Sequence, residues 1–385
     1  MGIGRGWRTR HLFFVVIPLV LFLPLFFSVS QLRSDRESVA RKPSKKSDHV
    51  ILGPAAGQGL PNRLQCQGLK AINELHSSRS DLNVSNGDYA VSFVTVFTIY
   101  NASWGRGSPA DSVTVGKASM SKTERSMAVL NTFVDFIQVS MPTSNVIILT
   151  DPASSFSINK RSTTVLPIQG DYSRGQLMLQ RIKSYISFLE SRLDNQFEKL
   201  KHHYIFTDSD VAVVDDLRHI FQKYPKFHLA LTFRNNKDQP LNSGFIAVRG
   251  TPEGILKAKI FLQEVLVEYS SKYMKASRML GDQLALASVI KSHLTSATRR
   301  FVKAEAFSSE INGASVLFLP CAIYNWTPPE GAGQFHGMPL DVQVVHFKGS
   351  RKRLMLESWN FFNSTSNMSD MLCLILKSGR RKYDF

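Results

Sequence analysis

The stretch His203-Tyr204-Ile205-Phe206-Thr207-Asp208-Ser209-Asp210-Val211-Ala212-Val213-Val214-Asp215-Asp216 decides how the rest of the chain is read. A short apolar run passes directly into two carboxylates at positions i and i+2, then into a second apolar run with an acidic stop. The apolar run predicts a buried strand, and in an open α/β sheet the carboxyl ends of the strands face the ligand crevice. Carboxylate oxygens at that edge suit a hard divalent cation such as Mg2+ or Mn2+. Asp208 and Asp210 are therefore candidate ligands for a metal that would hold a diphosphate. The alternative is a solvated loop after a core strand.

The segments before this stretch alternate in type. Residues 89–100 are β-branched and aromatic and predict a strand. Residues 123–141 place Met127, Leu130, Val134 and Ile137 on one helical face, closed by Pro142. A strand over 145–150 then ends at Asp151-Pro152. Strand, helix and strand in this order predict a right-handed parallel βαβ unit. Thr98, Tyr100 and Asp151 fall where such a sheet would meet a nucleotide, or they serve as ordinary turn residues. A helix over 173–199 has Leu177, Ile182, Ile186 and Leu189 on one face and carries Arg181 and Lys183. Arg181 is a candidate contact for a phosphate or sugar, although a solvated face is the commoner place for such a residue.

The segments after it add polar groups at strand and helix ends. A buried strand over 228–233 is followed by Asn242-Ser243-Gly244, directly before an apolar strand. Small polar residues with a glycine let backbone and amide groups come close to a ligand, unless the segment is a plain turn. A helix over 252–272 follows, and then Asp282 and Gln283 open another apolar helix, where Asp282 could also act as an N-cap. Near the end, Val344-Val345-His346 is followed by Gly349 and Lys352. A neutral imidazole can complete a carboxylate metal site, and a lysine just beyond it can neutralise a diphosphate. The segment 318–337, with Tyr324, Trp326 and its prolines, is the expected wall of an acceptor site, or else a rigid surface loop.

Composition limits the function classes. With 385 residues and 43% hydrophobic content the chain can bury a large core. The net charge of +17 invites a nucleic-acid reading, but residues 1–50 hold nine Lys/Arg against three Asp/Glu, and residues 348–385 hold eight against three. Most of the excess therefore sits at the two ends, and no nucleic-acid recognition motif accompanies it. Cys66, Cys321 and Cys373 are too few and too scattered for a zinc site or a disulfide framework.

Arg5, Arg8 and Arg10 precede an apolar run over residues 12–29, which is long enough to span a bilayer as a signal anchor. A cleaved signal ending near Ser28-Val29-Ser30 is the alternative. Six further basic residues between 33 and 46 dilute the positive-inside bias, and the Asn-x-Ser/Thr sites at Asn83, Asn101, Asn325, Asn363 and Asn367 favour a lumenal bulk. The short, Phe-rich anchor suits a thin early-secretory membrane, giving a Golgi single-pass type II protein. The expected organisation is a cytoplasmic tail (1–11), a transmembrane anchor (12–29), a Ser/Lys/Arg-rich stem (30–59), an accessory helical segment (60–87), the main α/β domain (88–353) and a C-terminal tail (354–385).

Taken together, Asp208-Ser209-Asp210, Asn242-Ser243-Gly244, Asp282-Gln283 and His346-x-x-Gly349-x-x-Lys352 stand in an order that resembles the GT-A fold glycosyltransferases. Over residues 88–353 the chain is similar to the retaining glycogenin and galactinol-synthase type and to the related plant cell-wall arabinosyl and xylosyl transferases. The resemblance implies a Rossmann-like, mostly parallel sheet flanked by helices. It implies that Asp208, Asp210 and His346 hold Mn2+ (or Mg2+) against the diphosphate of a nucleotide-sugar donor, most simply UDP-linked. Lys352 would contact that diphosphate, with Ser243, Gly244, Gly349 and Arg181 around the donor. Asn242, Ser243, Asp282 and Gln283 would address the transferred sugar, on its way to a hydroxyl acceptor on a glycan, glycoprotein or other molecule. The chain departs from the glycogenin-like pattern after Lys352, where Arg353-Leu354 replace Pro-Trp. A metal-dependent nucleotide-sugar hydrolase would use the same carboxylates, and a catalytically silent scaffold would share the fold.

Overall fold

The computed structural model describes residues 89–99, 113–115, 118–194, 201–234, 236, 239–276, 280–293, 301, 305–328 and 341–362. The expected anchor, stem and accessory helical segment lie outside the described residues, as do Tyr100, Cys66, Cys373 and the sequon residues Asn83, Asn101, Asn363 and Asn367. No helix among the described residues is long and apolar enough to cross a membrane.

The chain runs β1 (Tyr89–Val96), β2 (Val113–Val115), β3 (Ala118–Met120), α1 (Lys122–Ser140), β4 (Asn145–Thr150), β5 (Thr163–Pro167) and α2 (Leu177–Asp194). It continues through β6 (Lys201–Thr207), β7 (Val211–Val213), α3 (Arg218–Lys223), β8 (Leu229–Phe233), β9 (Leu241–Val248), α4 (Pro252–Glu268) and α5 (Gly281–His293). It closes with β10 (Phe307–Ile311), β11 (Ala314–Pro320), α6 (Cys321–Tyr324), β12 (Val344–His346) and α7 (Lys352–Phe362).

Eight strands form one sheet in the order β10-β11-β8-β9-β6-β1-β4-β5. Six of them point the same way, and β9 and β10 run against their neighbours. The expected parallel unit is present: β1 and β4 pair in parallel, with α1 between them in the chain. The inner strands β8 and β9 bury both faces, which is why they read as nearly continuous apolar runs. Phe93, Ile148 and Ile205 point into a core built with α1, α3 and α7. Their neighbours Val94, Leu149 and Phe206 point into a second core built with α2, α4 and α5. The result is a three-layer α/β/α arrangement.

Local sequence explains where the helices begin. Ser121 accepts from the Glu124 amide (3.2 Å), and the Glu124 carboxylate accepts from the Ser121 amide (2.7 Å). This capping box satisfies two N-terminal donors of α1 and contributes about 1 kcal/mol. Thr251 caps α4 by accepting from Gly254 (3.1 Å), with Pro252 in the first turn.

The structure corrects several expectations. Asn242, Ser243 and Gly244 are not a turn before a strand but lie inside β9, where the pairing with β8 shifts register between Leu231 and Thr232. Strand β9 is also antiparallel to β6 and β8, a direction that no local pattern encodes. The helix expected to reach 272 ends as an α-helix at Glu268 and widens into a π-turn over Tyr269–Tyr273. Leu354, Met355 and Leu356 of α7 are buried and Trp359 packs edge-on against Phe136 (5.2 Å), so the packed domain continues beyond residue 353. Tyr324 and Trp326 do not line an acceptor wall. They are 5% and 1% exposed and belong to the core.

Candidate metal and diphosphate site

The end of β6 delivers Asp208, and the chain re-enters a strand at Val211.

 Asp210 belongs to the turn between β6 and β7 and is 6% exposed. The turn is held from three sides. The Asp208 amide donates to the Gly244 carbonyl on β9 (3.3 Å), the Phe347 amide donates to the Asp210 carbonyl (2.8 Å), and β12 pairs antiparallel with β7, setting His346 opposite Val211. Three segments distant in sequence therefore meet at one corner of the sheet.

At that corner one ligand atom each from Asp208, Asp210 and His346 lie within 4.8 Å of one another. His346 Nε2 stands 3.3 Å from Asp210 Oδ1 and 3.6 Å from Asp208 Oδ2. Two carboxylate oxygens and an imidazole nitrogen form a donor set suited to Mn2+ or Mg2+. Gly244 keeps the space between them open. A Cβ there would stand 2.7 Å from His346 Cε1 and 2.8 Å from Asp208 Oδ2, inside the cradle itself. The residues present thus fit a divalent cation.

Lys352, at the start of α7, places Nζ 3.2 Å from Asp210 Oδ2 and remains 43% exposed, so it can also meet a ligand. Burial by itself would raise the Asp210 carboxyl, but His346 and Lys352 more than offset this and hold it below the ordinary carboxylate range. Nearby, burial and then the Arg234 guanidinium pull the Lys348 ammonium down to about 8.

Arg181 is not on a solvated face. It is 6% exposed and donates to Asp208, to Asp282 and to Ser243 Oγ (2.9 Å). Burial would lower its pKa, but Asp208 and Asp282 raise it further, so it stays charged. The expected solvated face is kept by Lys183, which is exposed. Asp282 is likewise not an N-cap. It lies within the first turn of α5, and Gly281 lets that turn approach Tyr269, whose ring a Cβ would strike. Gln283 donates to Gln239 Oε1 (3.1 Å), which also accepts from Arg234 (2.6 Å). Asn242 uses its Oδ1 to accept from the Gly244 amide (2.8 Å).

The remaining expected residues are placed more simply. Gly349 sits in the left-handed region at φ 68°, opening the turn that leads to Lys352. Thr98 bonds Ser154 (3.0 Å) and Asp151 accepts from the Ala153 amide (2.9 Å), which is ordinary turn chemistry. Arg234, Gln239, Thr232 and Asn325 were not singled out as site residues. A signal for Arg181 was available: it precedes Tyr185 by four and Phe188 by seven residues, on the buried stripe of α2.

No protein-family model matches the chain, and neither does any curated protein. Among solved structures, the apo-form glycosyltransferase GlyE of Streptococcus pneumoniae TIGR4 is similar over 53% of this chain and 43% of that one, with 12% identity and a TM-score of 0.31. The chain thus spans less than half the length of that protein. The chain shows a mixed, mostly parallel sheet flanked by helices, with the Asp208, Asp210 and His346 cluster at its edge.

Proposed function

We propose that this chain is a metal-dependent glycosyltransferase that moves a sugar from a nucleotide-diphosphate sugar, most simply UDP-linked, to a hydroxyl acceptor. The observation that carries the reading is the meeting of Asp208, Asp210 and His346 at one sheet corner, with Lys352 on Asp210 and the buried Arg181–Asp282 pair behind it.

Breaking a sugar–phosphate bond leaves the bonding electrons on the diphosphate. When bound, Mn2+ supplies Lewis-acid charge to that leaving group. Asp208, Asp210 and His346 would hold it, and Lys352 would neutralise the charge that develops on the phosphate oxygens. Asp282, fixed by Arg181, and the amides of Asn242 and Gln283 would orient the sugar and face the positive character at its anomeric carbon. Among the residues named here no further carboxylate stands ready as a nucleophile, which favours attack of the acceptor from the face the diphosphate leaves and a retaining outcome. The apolar run over 12–29 and the sequons outside the described residues support a Golgi type II placement with this domain in the lumen.

The test is thermal unfolding of the full-length protein against a panel of nucleoside diphosphates with and without Mn2+, beside Asp210→Ala. A ligand binding only the folded state at a hundred times its Kd adds about 2.7 kcal/mol. The expected result is a metal-dependent shift with one nucleotide that the variant loses. A folded wild type that no nucleotide shifts under any metal contradicts the reading.

A further inference from the structure

Behind the metal-competent corner runs a chain of hydrogen bonds whose direction is set from one end. The Asn242 carbonyl can only accept, and it takes the Thr232 hydroxyl proton (3.1 Å). With its one proton spent, Thr232 Oγ1 can only accept from Asn325, which donates from Nδ2 (3.0 Å). That fixes which way the Asn325 amide faces, and its Oδ1 is left toward His346 Nδ1 (2.8 Å). An amide oxygen cannot donate, so Nδ1 must carry the proton. In a neutral imidazole Nε2 is then a bare lone pair, and Nε2 is the nitrogen that faces Asp208 and Asp210. All four relay residues are buried: Thr232 0%, Asn325 2%, Asn242 4% and His346 4% exposed.

We propose that Asn325 is a positioning residue for the metal centre: locked by Thr232, it selects the His346 tautomer that presents Nε2 as a ligand. Imidazole in water prefers its proton on Nε2, so without the relay the preferred form would point an N–H at the carboxylates. The proposal rests on the metal reading given above and adds to it the origin of the ligand's protonation state. It also gives Asn325, which stands in the sequence as a glycosylation sequon, a role in the interior. Groups that orient a metal-bound histidine through its other nitrogen typically matter by 10- to 100-fold in metal affinity.

The experiment uses full-length, metal-free protein with 15N-labelled histidine, the His346 resonances being assigned by their loss in His346→Gln. In the wild type the ring shifts are expected to show Nδ1 protonated. Thr232→Val frees the Asn325 amide to turn and shifts His346 toward the Nε2–H form, while Thr232→Ser restores the wild-type spectrum. Manganese affinity, read by electron paramagnetic resonance, is expected to fall about 10- to 100-fold in Thr232→Val and Asn325→Ala and to return in Thr232→Ser. If Asn325→Ala fails to fold, Asn325→Asp serves in its place: its carboxylate still accepts from Nδ1 and is expected to keep the tautomer. A wild-type His346 with Nδ1 bare, or a folded Thr232→Val in which Nδ1 stays protonated as in the wild type, overturns the proposal. A wild type with the expected tautomer that binds no manganese overturns the metal reading, and the positioning role with it.

Discussion

Arg181 on α2 donates to both Asp208, at the end of β6, and Asp282, in the first turn of α5. One buried guanidinium thus ties the metal-competent corner to the helix that carries Asp282 and Gln283. The side chains of Arg181 and Asp282 are only 8% and 5% exposed, so neither charge can turn to water for compensation.

Removing one partner of such a pair strands the other in the interior, at a typical cost of 3–5 kcal/mol. Arg181→Met is therefore expected to lower the stability of the protein by about that much in urea unfolding. Combining it with Asp282→Asn is expected to recover part of the loss. Arg181→Lys should recover little, because one ammonium cannot reproduce the fork that reaches two carboxylates. A stability loss below 1 kcal/mol for Arg181→Met would show that the pair is not buried as described.

Gly244 is expected to be required for metal binding more than for folding. A methyl at this position would stand against His346 Cε1 and Asp208 Oδ2 (2.7 and 2.8 Å) and displace both. Gly244→Ala is expected to weaken manganese binding at least tenfold while costing about 1–3 kcal/mol of stability, the usual range for an extra methyl in a packed site. Calorimetric titration beside urea unfolding separates the two. Unchanged affinity would place the cation elsewhere.

Lys348 gives a pH dependence with a definite sign. Its folded pKa of about 8 lies below the ordinary lysine value of about 10.4. Below pH 8 both folded and unfolded chains carry the proton, and the full cost of burying the charge is present. Between about pH 8 and 10.4 the unfolded chain binds the proton that the folded chain has released, so stability attributable to this residue rises with pH. Lys348→Met is therefore expected to stabilise the protein at pH 7, by something of order 2 kcal/mol, and by less at pH 10. A gain that grows with pH would contradict the assignment.

Asn325 is expected to be unmodified in folded protein produced in a secretory host. Its side chain is 2% exposed and both ends of the amide are engaged, to Thr232 and His346. Mass spectrometry of peptides covering Asn325-Trp326-Thr327 checks this, and a glycan there on folded, metal-binding protein would contradict the described packing.

How much of this was legible in the sequence follows from what kind of information each feature needs. The buried strand β6 and its two carboxylates could be read locally, because a strand covered on both faces must be apolar and an acid at its end stands out. The order of motifs around Asn242, Asp282, His346 and Lys352 could be read for the same reason. Arg181 could not be placed correctly by type alone, since a basic residue on a helix is usually solvated and its burial depends on acids far along the chain. The direction of β9 is set by pairing with β6 and β8, which no local pattern contains. Trp326 and Asn325 misled in the same direction for different reasons. An aromatic among prolines suggested a surface wall, and a sequon suggested solvent, whereas the bonds of the Trp326 backbone to Val344 and His346 draw both residues into the core.

The central claim is that Asp208, Asp210 and His346 hold one divalent cation. It is tested most directly by anomalous diffraction at the manganese edge, from crystals of the protein grown with Mn2+ and the nucleoside diphosphate that shifts its unfolding. A single anomalous peak bounded by one oxygen of Asp208, one oxygen of Asp210 and Nε2 of His346 is the predicted result. A bound nucleotide with no peak at that corner, or with the peak on other residues, would contradict the account.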